Sequence, residues 1–166
     1  MASSKVYAAR ETSIVFKDSG GDAQITLANL GYGAGRLSAR YDRGTGAKPL
    51  RHIVQAIVQF ESAPAVGETV EIWLFESDGT YADANVGATD AALTSVQRYN
   101  GKFVGAVVVP TTDTATNFIA SFIVNIHQRY FSVGVWNASA GDNLKNTANA
   151  NMVSVTPCPD DIQTPA

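Results

Sequence analysis

The chain has one cysteine, Cys158, among 166 residues, so no disulfide can form within it and its fold needs no oxidising compartment. Long apolar runs are missing as well. The most apolar stretch, FIASFIVNI, covers nine residues (118–126), less than half of the ~20 that span a bilayer as a helix. The opening MASSKVYAARETS lacks the apolar core of a secretion signal, and the expectation is a soluble, unsecreted protein with no membrane partner. On that expectation the sequon Asn137-Ala-Ser139 is a chance match in a turn.

Charge is scarce too. Charged residues make up 16% of the chain, against ~25% in an average globular domain. Small polar residues and alanine take their place, a surface that is cheap to desolvate and common where proteins cover one another. Histidine occurs twice, at His52 and His127, without metal-ligand spacing, and HExxH, CxxC and GxSxG are all absent. Cys158 stands between two prolines with no neighbouring base to make it a thiolate. These absences predict a protein that is not an enzyme and holds no metal or cofactor. A Cys, His and acid group assembled in space is the arrangement that would contradict this.

What is present is glycine in turns and alternation between them. The glycines of GYGAGRLSARYDRGTGAKP (31–49) suggest a phosphate loop, but a dinucleotide fingerprint needs glycine where Arg36 stands. A P-loop fails as well, because Gly44 and Gly46 are too close together and Lys48 precedes Pro49. The stretch instead alternates, with Leu37, Ala39 and Tyr41 on one side and Arg36, Ser38, Arg40 and Asp42 on the other, the period of a half-buried strand.

Similar patterns mark nine candidate strands, at 12–17, 23–30, 36–43, 50–61, 69–76, 103–109, 118–126, 129–136 and 152–156. The cluster Asp18-Ser-Gly-Gly-Asp22 suits a hairpin between the first two. His127 and Gln128 suit a tight hairpin between 118–126 and 129–136. In 50–61 the apolar residues Leu50, Ile53, Val54, Ile57 and Val58 also fit a helical stripe, but four β-branched residues favour a strand. A short helix over 89–98, capped by Thr89 or Asp90, is the one helical expectation.

Many short strands without a long helix predict an all-β protein: an antiparallel, jelly-roll-like β-sandwich of eight or nine strands in a single domain over 1–166. The ends, 1–11 and 157–166, lack a strand pattern and read as flexible N- and C-terminal arms, the second kept out of a central strand by its prolines.

The charge is unevenly spread. Residues 36–51 hold five basic groups and one acid (+4), whereas 61–90 hold seven acids and no Lys or Arg (−7). Arg36, Arg40, Arg43, Lys48 and Arg51 could neutralise phosphates, but the larger acidic stretch and a pI near 5.2 oppose a nucleic-acid partner. A solvated strand face and a protein interface both fit. Trp73, Phe75, Tyr130 and Trp136 could form an aromatic platform for sugar, or belong to the core. Asp83 and Asn85 faintly suggest a calcium loop, but its glycine and terminal glutamate are missing, and a solvated turn fits better.

The segment Arg129-Tyr-Phe-Ser-Val133, continuing through Val135-Trp-Asn137 to Ala-Asn-Met-Val-Ser-Val-Thr-Pro157 and the acidic Pro159-Asp-Asp-Ile-Gln163, resembles the close of small β-sandwich virion proteins of tailed bacteriophages. The likeness extends to 58–71 and to Ser77-Asp-Gly79, about half of the chain within one domain. It implies a capsid decoration or cement protein, made in the host cytoplasm, that binds the outside of a phage head and bridges capsomers. Its partners would be the major capsid protein or other virion proteins and further copies of itself, as a dimer or trimer. The basic run Arg36, Arg40, Arg43, Lys48 and Arg51, with Asp160 and Asp161 of the C-terminal tail, is the candidate partner interface. A carbohydrate-binding jelly roll or a tail or fibre component is the alternative.

Overall fold

The structure, a computed structural model, describes residues 5–8, 10–80 and 87–163, and for 5–8 and 160–163 the backbone alone. The candidate calcium residues Asp83 and Asn85 lie outside the described residues. In chain order the strands are β1 (Lys5–Ala8), β2 (Ile14–Lys17), β3 (Ala23–Gln24), β4 (Gly35–Leu37), β5 (Tyr41–Asp42), β6 (Arg51–Val58) and β7 (Thr69–Ser77). There follow β8 (Ala91–Leu93), the one-turn helix α1 (Ser95–Arg98), β9 (Lys102–Val108), β10 (Phe118–Asn125), β11 (Tyr130–Asn137), β12 (Met152–Pro157) and β13 (Asp160–Gln163).

These strands form a two-sheet sandwich. One sheet runs β10-β6-β12-β2-β3, the other β8-β4-β11-β7-β9 with β5 also on β11, and β1 pairs with β13 as a separate two-stranded ribbon. All pairings are antiparallel except that of β2 with β3. Two-residue alternation builds the core. In β6 the even positions His52, Val54, Ala56 and Val58 are buried and the odd ones face out, so the apolar stripe that also fitted a helix is divided between two faces of a strand. In β7 it is Val70, Ile72 and Leu74 that turn inward, and they share one apolar core with the inner residues of β6, β12 and β2. Phe16, Tyr41 and Phe131 meet across the two layers with ring centroids 5.6 to 6.4 Å apart. A fully buried side chain of that size contributes about 1.5–3 kcal/mol relative to solvent exposure.

The second sheet has a smaller core on its other face. Phe75 follows Leu74 but points outward, and with Leu37, Leu93 and the half-buried Trp73 it is sealed from solvent. Glycine permits this covering. A Cβ at Gly134 would come within 2.6 Å of the Phe75 ring, and one at Gly35 within 2.6 Å of Trp136.

Four local expectations are corrected. Residues 18–22 do not close a hairpin. Asp22 N–H donates to Val15 O (2.8 Å), which returns the chain to the level of Val15, and β3 then runs parallel to β2. The Asp18 carboxylate holds that return by accepting from Leu27 N and Ala28 N. Secondly, His127 and Gln128 join strands of different sheets, β10 beside β6 and β11 beside β7, so they form a corner between layers. Both of their N–H groups donate to one Glu76 carboxylate oxygen, each at 2.7 Å.

Thirdly, the strand expected over 36–43 is broken at Ser38. That residue is fully buried, its backbone N–H donates to Val133 O, and its hydroxyl accepts from Val133 N–H. The break reverses the phase, sending Leu37 to the outer core and Ala39 and Tyr41 to the inner one. Lastly, the helix begins later than expected. Thr94 is its cap, its hydroxyl accepting from Gln97 N–H while its own backbone N–H donates to Gln97 Oε1, and Thr89 and Asp90 precede β8 instead.

The ends also pair in a way no sequence pattern announced: Ala8 opposes Asp160 and Lys5 opposes Gln163. Pro157 closes β12 opposite His52, one residue beyond the expected strand.

Candidate interaction surfaces

The five basic residues do not form one patch. Arg36 stands in register with the core residue Val135 and pairs with Asp90, which also accepts from Thr26 N (2.9 Å), so it closes the flank of the sandwich. Burial acts to raise the Asp90 pKa, but the bonds from Arg36 and Thr26 outweigh it and hold it below the ordinary 3.8. Arg40 covers one ring face of Tyr130 with its guanidinium 4.4 Å from the centroid, and Arg129 lies 4.7 Å from the same ring. Arg129 also grips Asp42 through two bonds (2.6 and 2.8 Å), and this hydrogen bonding lowers the Asp42 pKa to about 2.

Arg43 is a structural clamp. Its guanidinium donates to the carbonyl oxygens of Ile126 and Gln128, each at 3.0 Å, and to that of Pro49. It thus ties the 126–128 corner to the segment that leads into β6. Partial burial lowers its pKa, and nearby Glu76 opposes the shift.

Three of the five do meet at one end of the sandwich. Arg43 and Lys48 line a depression of about 160 Å³ with Glu11, Tyr41, His52 and Pro157. Lys48 and Arg51 line an adjoining one of about 630 Å³ with Glu11, Asn125, Cys158 and Pro159. The ribbon of β1 and β13 springs from this end, since Glu11 N–H donates to Pro157 O and Cys158 N–H to Arg51 O. Asp160 and Asp161 lie on that ribbon, opposite Ala8 and Tyr7.

Sequence alone placed His52 and Cys158 only as isolated groups; the pairing of β6 with β12 makes them neighbours along the chain ends of two strands. His52 is 1% exposed. Its Nδ1–H donates to Leu50 O at 2.8 Å, and burial lowers its pKa. Cys158 is also buried, with Sγ 3.5 Å from Thr156 O. His127 is exposed. Among the described residues no three His, Cys, Asp or Glu side chains are grouped to hold a metal ion.

The aromatic platform expected from Trp73, Phe75, Tyr130 and Trp136 is not assembled. Phe75 is fully buried, Tyr130 is flanked by two guanidinium groups, and Trp136 is 9% exposed beneath Arg98, whose guanidinium lies 4.4 Å from its ring centroid. Arg98 pairs with Glu71 (2.8 Å), which also accepts from Trp73 Nε1–H (3.0 Å). The exposed aromatics here are Tyr99 and Phe103, the latter packed at 5.0 Å on Trp73. Phe103 meets Trp73 only through the pairing of β9 with β7, which no local sequence pattern reports, and Tyr99 lies against the Arg98 guanidinium, 5.2 Å from its ring centroid.

The strand pairing defines the class, an antiparallel β-sandwich. No protein-family model and no curated protein matches the chain. Among solved structures it is similar to the C-terminal CBM6, a carbohydrate-binding module, of LamC, a marine laminarinase from Zobellia galactanivorans. That alignment has 13% identity and a TM-score of 0.43, and covers 93% of this chain and 99% of the module.

Proposed function

We propose that this is a structural virion protein of the capsid decoration or cement type, which binds the outer surface of a phage head and bridges its capsomers. The observation that supports this reading is the end of the molecule where a separate ribbon, formed from both chain termini, rises beside a recess lined by Arg43, Lys48 and Arg51. A ribbon outside both sheets has open edges that a neighbouring polypeptide can pair with. Most of the remaining arginines are held by internal partners, Arg36 by Asp90, Arg98 by Glu71 and Arg129 by Asp42, so much of the molecule presents weakly charged surface. Such surface desolvates at low cost when a partner covers it.

In this role the protein works by mass action. A copy that binds the assembled lattice and not the loose subunit stabilises the lattice, and many copies multiply a modest free energy. Co-sedimentation tests it: the purified chain pellets with mature heads and leaves unassembled coat subunits alone. Failure to bind heads, or equal binding to loose subunits, contradicts the reading.

A second reading, a carbohydrate-binding sandwich, is favoured by one observation, the exposed Phe103 packed on Trp73, with the exposed Tyr99 held nearby in the chain against Arg98. Exposed rings on a sheet face can stack on sugar. Glycan-array binding lost in Tyr99→Ala and Phe103→Ala would replace the first reading by this one.

A further inference from the structure

From the free edge of β10 we infer that the protein forms a two-fold dimer in which β10 pairs antiparallel with β10 of a second copy, centred on Ser121. This does not rest on the virion reading, and its test is separate.

The four outermost strands of the sandwich differ in how they are protected. Of the two sheets, β3 has two residues and β8 has three, too short to template another chain. The ladder of β9 on β7 is broken by a register shift at Ile72 and Trp73. β10 has no such device. It pairs over all eight residues with β6 in unbroken register, and from Thr114 to Gln128 there is neither a formally charged residue nor a proline. Natural edge strands of this length normally carry a charge, a proline or a bulge to prevent pairing. The Lys102 ammonium donates to Asn125 O at the end of β10 (3.2 Å), and the uncharged Gln55 Nε2 donates to Ser121 Oγ from β6 (3.3 Å).

The occupant is named by the sequence of the strand. Asn117-Phe-Ile-Ala-Ser121-Phe-Ile-Val-Asn125 reads the same in both directions about Ser121 at every outward position (117, 119, 121, 123 and 125), while its inward pairs, Phe118 with Val124 and Ala120 with Phe122, are apolar but not identical. An antiparallel two-fold pairing about that residue sets Ser121 against Ser121, Ile119 against Ile123, Phe118 against Val124 and Asn117 against Asn125. Faces are preserved: Phe118 and Val124 are buried, while Ile119 and Ile123 are 56% and 73% exposed. Each outward isoleucine therefore meets an outward isoleucine, and each inward residue an inward one. Within the sheet, Ile57 and Ile53 of β6 lie opposite Ile119 and Ile123, which extends the apolar strip across both copies. The exposed Phe103 and Val108 are on β9, which packs on the same flank through Gly105 and Phe122. An isologous contact of this kind closes on itself and does not propagate into a fibre.

Sedimentation equilibrium of the full chain tests the association, and cysteine cross-linking tests the register. The expected result is a concentration-dependent species of twice the 17.5 kDa chain mass. Ile123→Lys should shift it to monomer with an unchanged near-ultraviolet spectrum, because the side chain is already largely in solvent. Directly opposed residues have Cβ atoms ~4.5–5.5 Å apart, within slight adjustment of disulfide geometry. Ser121→Cys should then cross-link to itself on mild oxidation beyond the wild-type background. Ile119→Cys and Ile123→Cys should cross-link to each other and not to themselves, since like positions are four residues out of register, about 13 Å. A chain that stays monomeric at every concentration overturns the inference. So does a dimer that Ile123→Lys leaves intact, or one in which Ile119→Cys couples to itself as readily as to Ile123→Cys.

Discussion

The Arg43 guanidinium donates to the carbonyl oxygen of Ile126 across 3.0 Å, joining a residue of the basic run to the corner where the chain changes sheets. The same group serves Gln128 and Pro49, so its hydrogens are directed inward although it lines a recess. Arg43→Ala leaves three carbonyls short of a charged donor, each such bond being worth about 1.5–3 kcal/mol. We expect a loss of about 2–4 kcal/mol in urea unfolding, with Arg43→Lys recovering only part because an ammonium cannot span the three acceptors as a planar fork does. An unchanged midpoint for Arg43→Ala would mean that the clamp is not formed.

Acid should weaken the fold in two steps. His52 is held neutral by burial, with a folded pKa below the ordinary 6.5. The unfolded chain takes up that proton first, so this contribution is complete above pH 6.5 and is lost progressively as pH falls below 6.5 through the lower folded pKa. Asp42 has a folded pKa of about 2 against 3.8, so its contribution is complete above 3.8 and lost as pH falls toward 2. Urea midpoints measured against pH should show both declines. His52→Gln should remove the first and Asp42→Asn should reduce the second.

Gly134 lies beneath the Phe75 ring, where a Cβ would come within 2.6 Å. Gly134→Ala must therefore displace a fully buried ring, and overpacking of this kind costs about 1–3 kcal/mol. Gly141→Ala, with open space around it, is the control and should be nearly neutral. Thermal melts of the two variants should separate clearly.

Arg98 roofs Trp136 while Glu71 bridges Arg98 and Trp73. Acrylamide should therefore quench two tryptophan populations unequally, with Trp136 the more protected. Arg98→Ala should expose Trp136 and raise its quenching, and should destabilise by about 1 kcal/mol through the lost cation–π contact. Equal quenching of Trp73→Phe and Trp136→Phe proteins would contradict this packing.

The two-layer architecture was legible because alternation is a local property. His52, Val54, Ala56 and Val58 repeat every second residue whatever the rest of the chain does. Connections were less legible. Two residues between strands at 127–128 normally mean a hairpin, but Glu76 and Arg43, distant in sequence, hold those residues as a corner between sheets. The basic run misled for a related reason. Arg36, Arg40 and Arg43 sit within eight residues, yet the break at buried Ser38 sends them to a flank, an aromatic ring and a corner. No local pattern reports the partners Asp90, Tyr130 and Ile126. The β1–β13 ribbon was hidden likewise, since its strands are separated by almost the whole chain.

Electron cryomicroscopy of intact particles containing this chain tests the proposed function most directly. The expected result is density for the sandwich on the outside of the head, with the β1–β13 ribbon and the Arg43–Lys48–Arg51 recess facing the shell across a capsomer joint. A particle with that density on the tail, or with none at all, would contradict it.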